Sequence, residues 1–258
     1  DLEKTLVSID RQKIKPELNL VIIKKINNFN LRVYKKKYRR FIIGKDKSLW
    51  NAMNIGLKYT KNFNIIFLNS GDRFFSNRSL IYVKKNIDKQ KKNVLIFKTA
   101  LKYKKKTFFP KKNYFNSENY SPHPSFVRPP VKRKKITLFN EKNKINADGF
   151  WMRQNREQIG YKKINKILSI YYLGGRSSNP TIKSILQLLK YDIIGGLKEI
   201  IKYSLIKIFS QKNYYKIIYW SKFEIRNWVK ITKHISGHVS LIIALVKENY
   251  PIFILKNF

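Results

Sequence analysis

A short apolar run, Ile65-Ile66-Phe67-Leu68, stops abruptly at Asn69-Ser70-Gly71-Asp72, and no other stretch constrains the fold as tightly. Aliphatic and aromatic residues bounded by turn formers read as a buried strand. Open α/β sheets collect ligands just beyond the carboxyl ends of their strands, so Asp72 is predicted to stand at a site. Gly71 permits a tight turn or a close backbone approach. A hard oxygen ligand such as Asp72 suits a divalent ion that also binds phosphate oxygens. From these residues alone, a hairpin turn with a solvated Asp reads equally well.

The flanking segments alternate. Leu2, Leu6 and Ile9 share one helical face. A strand is predicted at Leu18–Ile23 and a short one at Phe41–Ile43. Leu49, Met53 and Leu57 recur at helical spacing behind Ser48, a good cap. Beyond the central strand follow a helix over 79–89, a strand at Val94–Phe97 and a hairpin over 101–109. The prolines around His123 force an extended stretch. A short helix over 130–136, a helix from Asn146 to Gly160 and a strand over 164–172 complete the pattern. Strands alternating with helices predict an α/β fold with a mostly parallel sheet. From Pro180 the texture changes to aliphatic residues at helical spacing with lysines between them. Residues 180–258 are therefore expected to form a basic amphipathic helical extension outside the sheet, kinked at Gly195-Gly196, with 1–179 as the α/β domain.

Composition narrows the chemistry. The chain carries 56 Lys plus Arg against 15 Asp plus Glu, a formal charge of +41, which attracts polyanions such as nucleic acid, anionic lipid or nucleotide diphosphates. Any metal ligand or general-base carboxylate must be one of those fifteen acids. The absence of Cys excludes disulfides, thiolate zinc and a cysteine nucleophile. No apolar run approaches the ~20 residues of a membrane-spanning helix. The sequence starts at Asp1 and shows no basic-then-apolar leader.

Three blocks in order resemble glycosyltransferase family two, in particular its small bacterial members that build surface polysaccharides. They are DKSLWNAMNIG (46–56), IIFLNSGDRFF (65–75), and HPSFVR, NADGFWMR and ILSIYYLGGRSSNP spread over 123–180. LEKTLVSIDRQ (2–12) is similar to the family's first helix. The resemblance covers roughly residues 1–180. It implies a GT-A fold, a Rossmann-like mixed, mostly parallel sheet flanked by helices. It also implies a nucleotide-diphosphate sugar as donor and a divalent metal, Mn or Mg, as cofactor.

On that resemblance Asp72 is the metal and diphosphate carboxylate. It stands alone, because Ser70 occupies the position two residues before it. Asp148 matches the acceptor-side acid and is expected to be the general base of an inverting transfer, with N-capping of the helix at Gly149 as its structural alternative. Asp46, His123 and Arg176 match positions lining the donor or acceptor cleft. Trp151 and Arg153 are expected to pack beneath and beside Asp148, and Trp50 to be core. Two features depart from the pattern. The family's opening strand is absent, and the acidic stretch after its second strand is replaced by Lys24-Lys25-Ile26-Asn27. The expected partners are a nucleotide sugar, a saccharide or lipid-linked acceptor, and an anionic membrane surface met by 180–258. No specific nucleic acid is expected. The expected location is cytoplasmic, peripheral at the inner face of the cell membrane. A catalytically inactive partner subunit and a basic nucleic-acid binder stay open as alternatives.

Overall fold

The computed structural model of the chain describes residues 1–24, 30–45, 47–60, 62–90, 92–103, 106–118, 120, 122–131, 136–143, 146–173, 181–190, 192–227 and 239–245; at 211–213, 215–221, 224–227 and 239–245 it describes the backbone alone. The strands are β1 (Leu18–Ile23), β2 (Arg39–Ile43), β3 (Asn64–Asn69), β4 (Arg73–Phe74), β5 (Val94–Tyr103), β6 (Lys106–Pro110), β7 (Phe126–Val127), β8 (Tyr161–Tyr172), β9 (Phe223–Asn227) and β10 (Val239–Leu245). The helices are α1 (Leu2–Asp10), α2 (Leu49–Tyr59), α3 (Ser79–Lys89), α4 (Lys112–Asn116), α5 (Ala147–Ile159), α6 (Ile182–Leu189) and α7 (Ile193–Lys222).

The central run is apolar at every position because β3 is covered on both faces. Ile66 and Leu68 join Val21 and Ile23 beneath α1 and α3, among Leu6, Ile9, Leu80 and Val83. Ile65 and Phe67 join Leu20 and Ile22 on the other face, among Trp50, Met53, Leu57 and Trp151 of α2 and α5. The period-two alternation of a strand thus feeds two separate cores, as expected of a sheet lying between helical layers. Ser48 caps α2 as its position predicts, its hydroxyl accepting from the Asn51 N–H at 3.1 Å.

The sheets are mixed, in place of the mostly parallel arrangement expected. One sheet runs in the order β2-β1-β10-β3; the other runs β4-β8-β5-β6-β9, with β7 on β5. Parallel pairing joins β1 to β2 and β5 to β8. Hairpins and returning segments make the remaining pairs antiparallel. The two sheets touch through the antiparallel bridge of Ile65 and Arg128, whose backbones exchange bonds of 2.8 and 3.0 Å.

The C-terminal region also departs from expectation. Residues 182–189 and 193–222 are helical, but β9 pairs with β6, and β10 lies between β1 and β3, antiparallel to both, with Ile242 opposite Leu20 and Phe67. The region therefore contributes to both sheets. The helical break falls at Ser210 (φ 63°, ψ 153°), not at Gly195-Gly196. Those glycines lie in the first turn of α7, where the Asp192 carboxylate accepts the Gly195 N–H at 2.8 Å. The helix expected over 130–136 falls largely on 132–135, outside the described residues.

One ion pair joins α1 to the first sheet. The Arg39 guanidinium, with no side-chain exposure, donates to Asp10 Oδ1 at 2.5 Å, Asn19 Oδ1 at 2.6 Å and the Tyr34 carbonyl at 2.8 Å. Tyr38 donates its hydroxyl to the same Asp10 oxygen at 2.5 Å. Removing one member of a buried pair leaves the other charge desolvated and uncompensated. Asp10→Ala is expected to cost about 3 kcal/mol by urea unfolding. Glu199→Gln, which breaks the pair with Lys202 at the surface, is expected to cost less than about 1 kcal/mol. Equal costs for the two would contradict this assignment.

Candidate functional site

The turn after β3 is set by glycine and held by α1. Gly71 adopts φ 104°, a conformation that residues with a Cβ rarely take, and so lets the chain reverse into β4. Its N–H donates to Thr5 Oγ1 at 2.9 Å. Ser8 Oγ accepts from the Phe74 N–H at 3.3 Å, and Gln12 bonds the Ser76 carbonyl (2.7 Å) and the Leu80 N–H (3.1 Å). Thr5 and Ser8 lie three residues apart on one face of α1, and Gln12 follows two residues past its end. That polar stripe clasps residues 71–80 and presents Asp72 at the sheet edge.

Asp72 is almost completely buried, its side chain 4% exposed. Its Oδ2 accepts from the Asn69 N–H at 3.3 Å and lies 3.4 Å from His123 Nε2. His123 begins a 3-10 turn, His123–Ser125, set between Pro122 and Pro124. Ser125 anchors this turn. Its hydroxyl contacts those of Thr99 and Ser169 at 2.6 Å each and donates to the Lys98 carbonyl at 3.1 Å. The cluster ties the turn to β5 and β8. On the far side of the ring, His123 Nδ1 lies 3.7 Å from Asp148 Oδ2. Tyr171 meets the imidazole edge-to-face at 6.0 Å.

Asp148 lies inside the first turn of α5, and Asn146, two residues earlier, is the N-cap residue, so Asp148 is not the cap. Its Oδ1 accepts from the Gly149 N–H at 2.9 Å, and its side chain is 28% exposed. A Cβ at Gly149 would meet Asn146 Oδ1 at 2.4 Å, which explains the glycine beside the acid. Trp151 secures the helix start. It stacks on Phe139 at 4.6 Å, meets Phe67 of β3 edge-on at 5.5 Å and donates Nε1–H to the Thr137 carbonyl at 2.8 Å. Trp50 also stacks on Phe139, within the core. Arg153 lies over the Phe150 ring.

Asp72, His123 and Asp148, widely separated in sequence, therefore form one string, carboxylate–imidazole–carboxylate. Asp46 and Arg176 fall outside the described residues. Four neighbours carry signals weaker than the motifs. Arg73 directly follows Asp72, and Lys102, Tyr171 and Tyr172 meet it through the pairing of β4, β5 and β8. Nothing in the spacing of these residues announces that meeting.

Burial alone would lower the His123 pKa. The hydrogen bond to Asp72, with the charges of Asp72 and Asp148, outweighs it and holds the imidazole above its ordinary value. A raised folded-state pKa contributes stability that is complete below the unfolded-state value of about 6.5 and is lost as pH climbs through the folded value. The stability of the chain relative to His123→Gln is therefore expected to shrink as pH rises above about 6.5 and through the raised folded-state value. Urea unfolding of both proteins across that window measures it. A difference that grows with pH would overturn the charge assignment.

Whether these donors suit a divalent ion follows from the same geometry. Asp72 offers one carboxylate, and its Oδ2 is occupied by the Asn69 N–H and the imidazole. Ser70 stands where a second acid would be. Among the described residues no group of three His, Cys, Asp or Glu could hold a metal. Asn69 Oδ1 is buried without a donor, while Asn69 Nδ2 lies 3.1 Å from His123 Nε2. Exchanging the amide ends turns that contact into an imidazole N–H donating to Oδ1. The described donors do not make a resident divalent site.

No family model and no curated protein matches the chain. Ten chains among solved structures match it. One is the crystal structure of S. aureus TarS 1–349, at a TM-score of 0.54 and 16% identity, covering 84% of this chain and 70% of that one. The likeness is one of fold: a mixed α/β structure similar to the GT-A fold of TarS.

Proposed function

We propose that this protein is a glycosyltransferase that moves a sugar from a nucleotide-diphosphate sugar to a hydroxyl of a saccharide or lipid-linked acceptor, in surface polysaccharide synthesis, with inversion at the anomeric carbon. The observation that carries the proposal is the convergence of Asp72 and Asp148 on opposite nitrogens of His123, beyond the end of β3, in a GT-A-like fold. GT-A glycosyltransferases typically use nucleotide sugars and a metal. The resemblance of 46–56, 65–75 and 123–180 to family-two transferases supports the same reading.

In this reading Asp148, the more exposed carboxylate, is the general base. The acceptor O–H gives its proton to Asp148 as the oxygen bonds to the anomeric carbon. The bond from that carbon to the diphosphate oxygen breaks, and its electron pair leaves with the nucleoside diphosphate. His123, held by Asp72, positions Asp148 through its Nδ1. Asp46 and Arg176 are proposed to meet the donor. Asp148→Asn is expected to lower kcat by about 10²–10⁴-fold. Asp72→Asn is expected to lower it less, acting through His123. The release of nucleoside diphosphate from a panel of nucleotide sugars with acceptor measures both. Full complementation in cells by both variants would favour the inactive partner subunit.

A peripheral position at the inner face of the cell membrane belongs to the same proposal. Among the described residues no helix is long and apolar enough to cross a membrane. Helices α6 and α7 nevertheless expose Ile182, Leu186, Ile193, Ile194, Ile201 and Ile208, with Lys183, Lys190, Lys198 and Lys207 among them. Exposed aliphatic side chains edged by lysines suit an anionic lipid interface. A Leu186→Ser, Ile194→Ser, Ile201→Ser triple variant is expected to lose flotation with anionic phospholipid vesicles at about 0.15 M salt, where long-range charge attraction is screened. Equal flotation of variant and native chain would remove the membrane from the proposal.

A further inference from the structure

Arg73 leaves the turn directly after Asp72, and its guanidinium lies over the Tyr172 ring, 4.6 Å from the centroid. Lys102, directly opposite Tyr172 in the β5–β8 ladder, brings its ammonium to 5.7 Å from the same centroid. Two cations therefore share one aromatic ring. Among the described residues no carboxylate pairs with either. Arg73 Nε is buried and has no acceptor. Arg73 as a whole is only partly buried, and the terminal N–H groups of a guanidinium match two oxygens of a phosphate.

We propose that Arg73 and Lys102, braced on Tyr172, form a phosphate-binding pair that takes the diphosphate of the donor and neutralises it as it leaves, in the place of a resident metal ion. Chemistry and position agree. The leaving group gains negative charge as the anomeric bond breaks, and fixed positive groups stabilise that change. The pair stands beside Asp72, whose charge reaches Tyr172. Burial and the neighbouring Arg73 charge push Lys102 below the ordinary lysine range, a penalty that a bound anion relieves. The ring's negative faces offset part of the cost of holding two cations close to it, and a bound anion offsets more. A divalent ion at Asp72 would instead face both cations and compete with the imidazole. The inference rests on the transferase reading for the identity of its ligand, but its test does not.

Calorimetric titration of the full chain with inorganic pyrophosphate in EDTA is the experiment. Binding is expected without metal. Arg73→Gln and Lys102→Gln are each expected to weaken it about tenfold or more, the loss of one charge-assisted bond. The exposed pair Lys36→Gln/Lys37→Gln is expected to leave it unchanged, which separates a built site from the attraction of a +41 chain. Should Arg73→Gln melt early, Lys102→Gln carries the result alone, because Lys102 is only partly buried. The proposal is overturned if pyrophosphate binds only with Mn or Mg and loses that binding in Asp72→Asn. It is equally overturned if the Lys36/Lys37 variant weakens binding as much as Lys102→Gln. Metal-free binding through Arg73 and Lys102, in a chain with no transferase turnover, would retain this site and discard the transferase reading. Turnover that depends on Asp148, with pyrophosphate binding indifferent to Arg73 and Lys102, would do the reverse.

Discussion

His123 can hold Asp72 and Asp148 together only because three chain segments end within reach of one another: the exit of β3, the turn between Pro122 and Pro124, and the first turn of α5. Two carboxylates facing one another across a partly buried space repel, and burial raises the cost of each charge. An imidazolium between them offsets both penalties. The arrangement survives only if no segment can retreat. At the β3 exit, α1 grips the backbone through Thr5 and Ser8, with Gln12 just past its end. At the turn, the Thr99–Ser125–Ser169 hydroxyl cluster is bonded across two strands. At α5, the Phe67–Trp151–Phe139 packing fixes the helix start against β3 itself. Elements that look like separate pieces of core thus converge on one proton-bearing ring.

Much of this frame was legible in the residues, and the exceptions have physical causes. An unbroken apolar run is diagnostic when both faces are covered, so β3 and its turn could be read directly, as could the Ser48 cap. Asp72 could be read from its place beyond the strand end and Asp148 from motif resemblance, but their approach to His123 depends on sheet order, which local pattern does not encode. β10 was harder. Its apolar run follows a stretch rich in Lys, Tyr and Trp that reads as helix, and only the slot between β1 and β3 makes it a central strand. Lys102 is one basic residue among 56, and only the β5–β8 register brings it to Tyr172.

The C-terminal helices follow a different economy from the sheet. α6 buries Ile185 and Leu188, while Ile182 and Leu186 stay exposed. Thr181 and Ser184 form a capping box that stabilises this short helix locally, so it depends less on packing. A helix stabilised at its own end can leave an apolar face uncovered. A helix whose order came only from burial could not.

Scarcity of acid gives the remaining carboxylates their meaning. With 15 acids against 56 bases, a carboxylate that joins two elements is not easily replaced by a neighbour. Asp10 receives Arg39 and Tyr38 where α1 meets the first sheet. Glu141 accepts from Asn51 and Asn54 and ties the loop after Phe139 to α2, and the Asn54 bond foremost holds its pKa below the ordinary glutamate range. Asp72 and Asp148 share His123. Where acids are this few, a guanidinium that makes no ion pair among the described residues contrasts with the pairing found at Arg39. Arg39 is surrounded by an acid, an amide and a carbonyl. Arg73 is given an aromatic ring, a second cation and an unfilled donor, an environment completed by an anion from outside the chain.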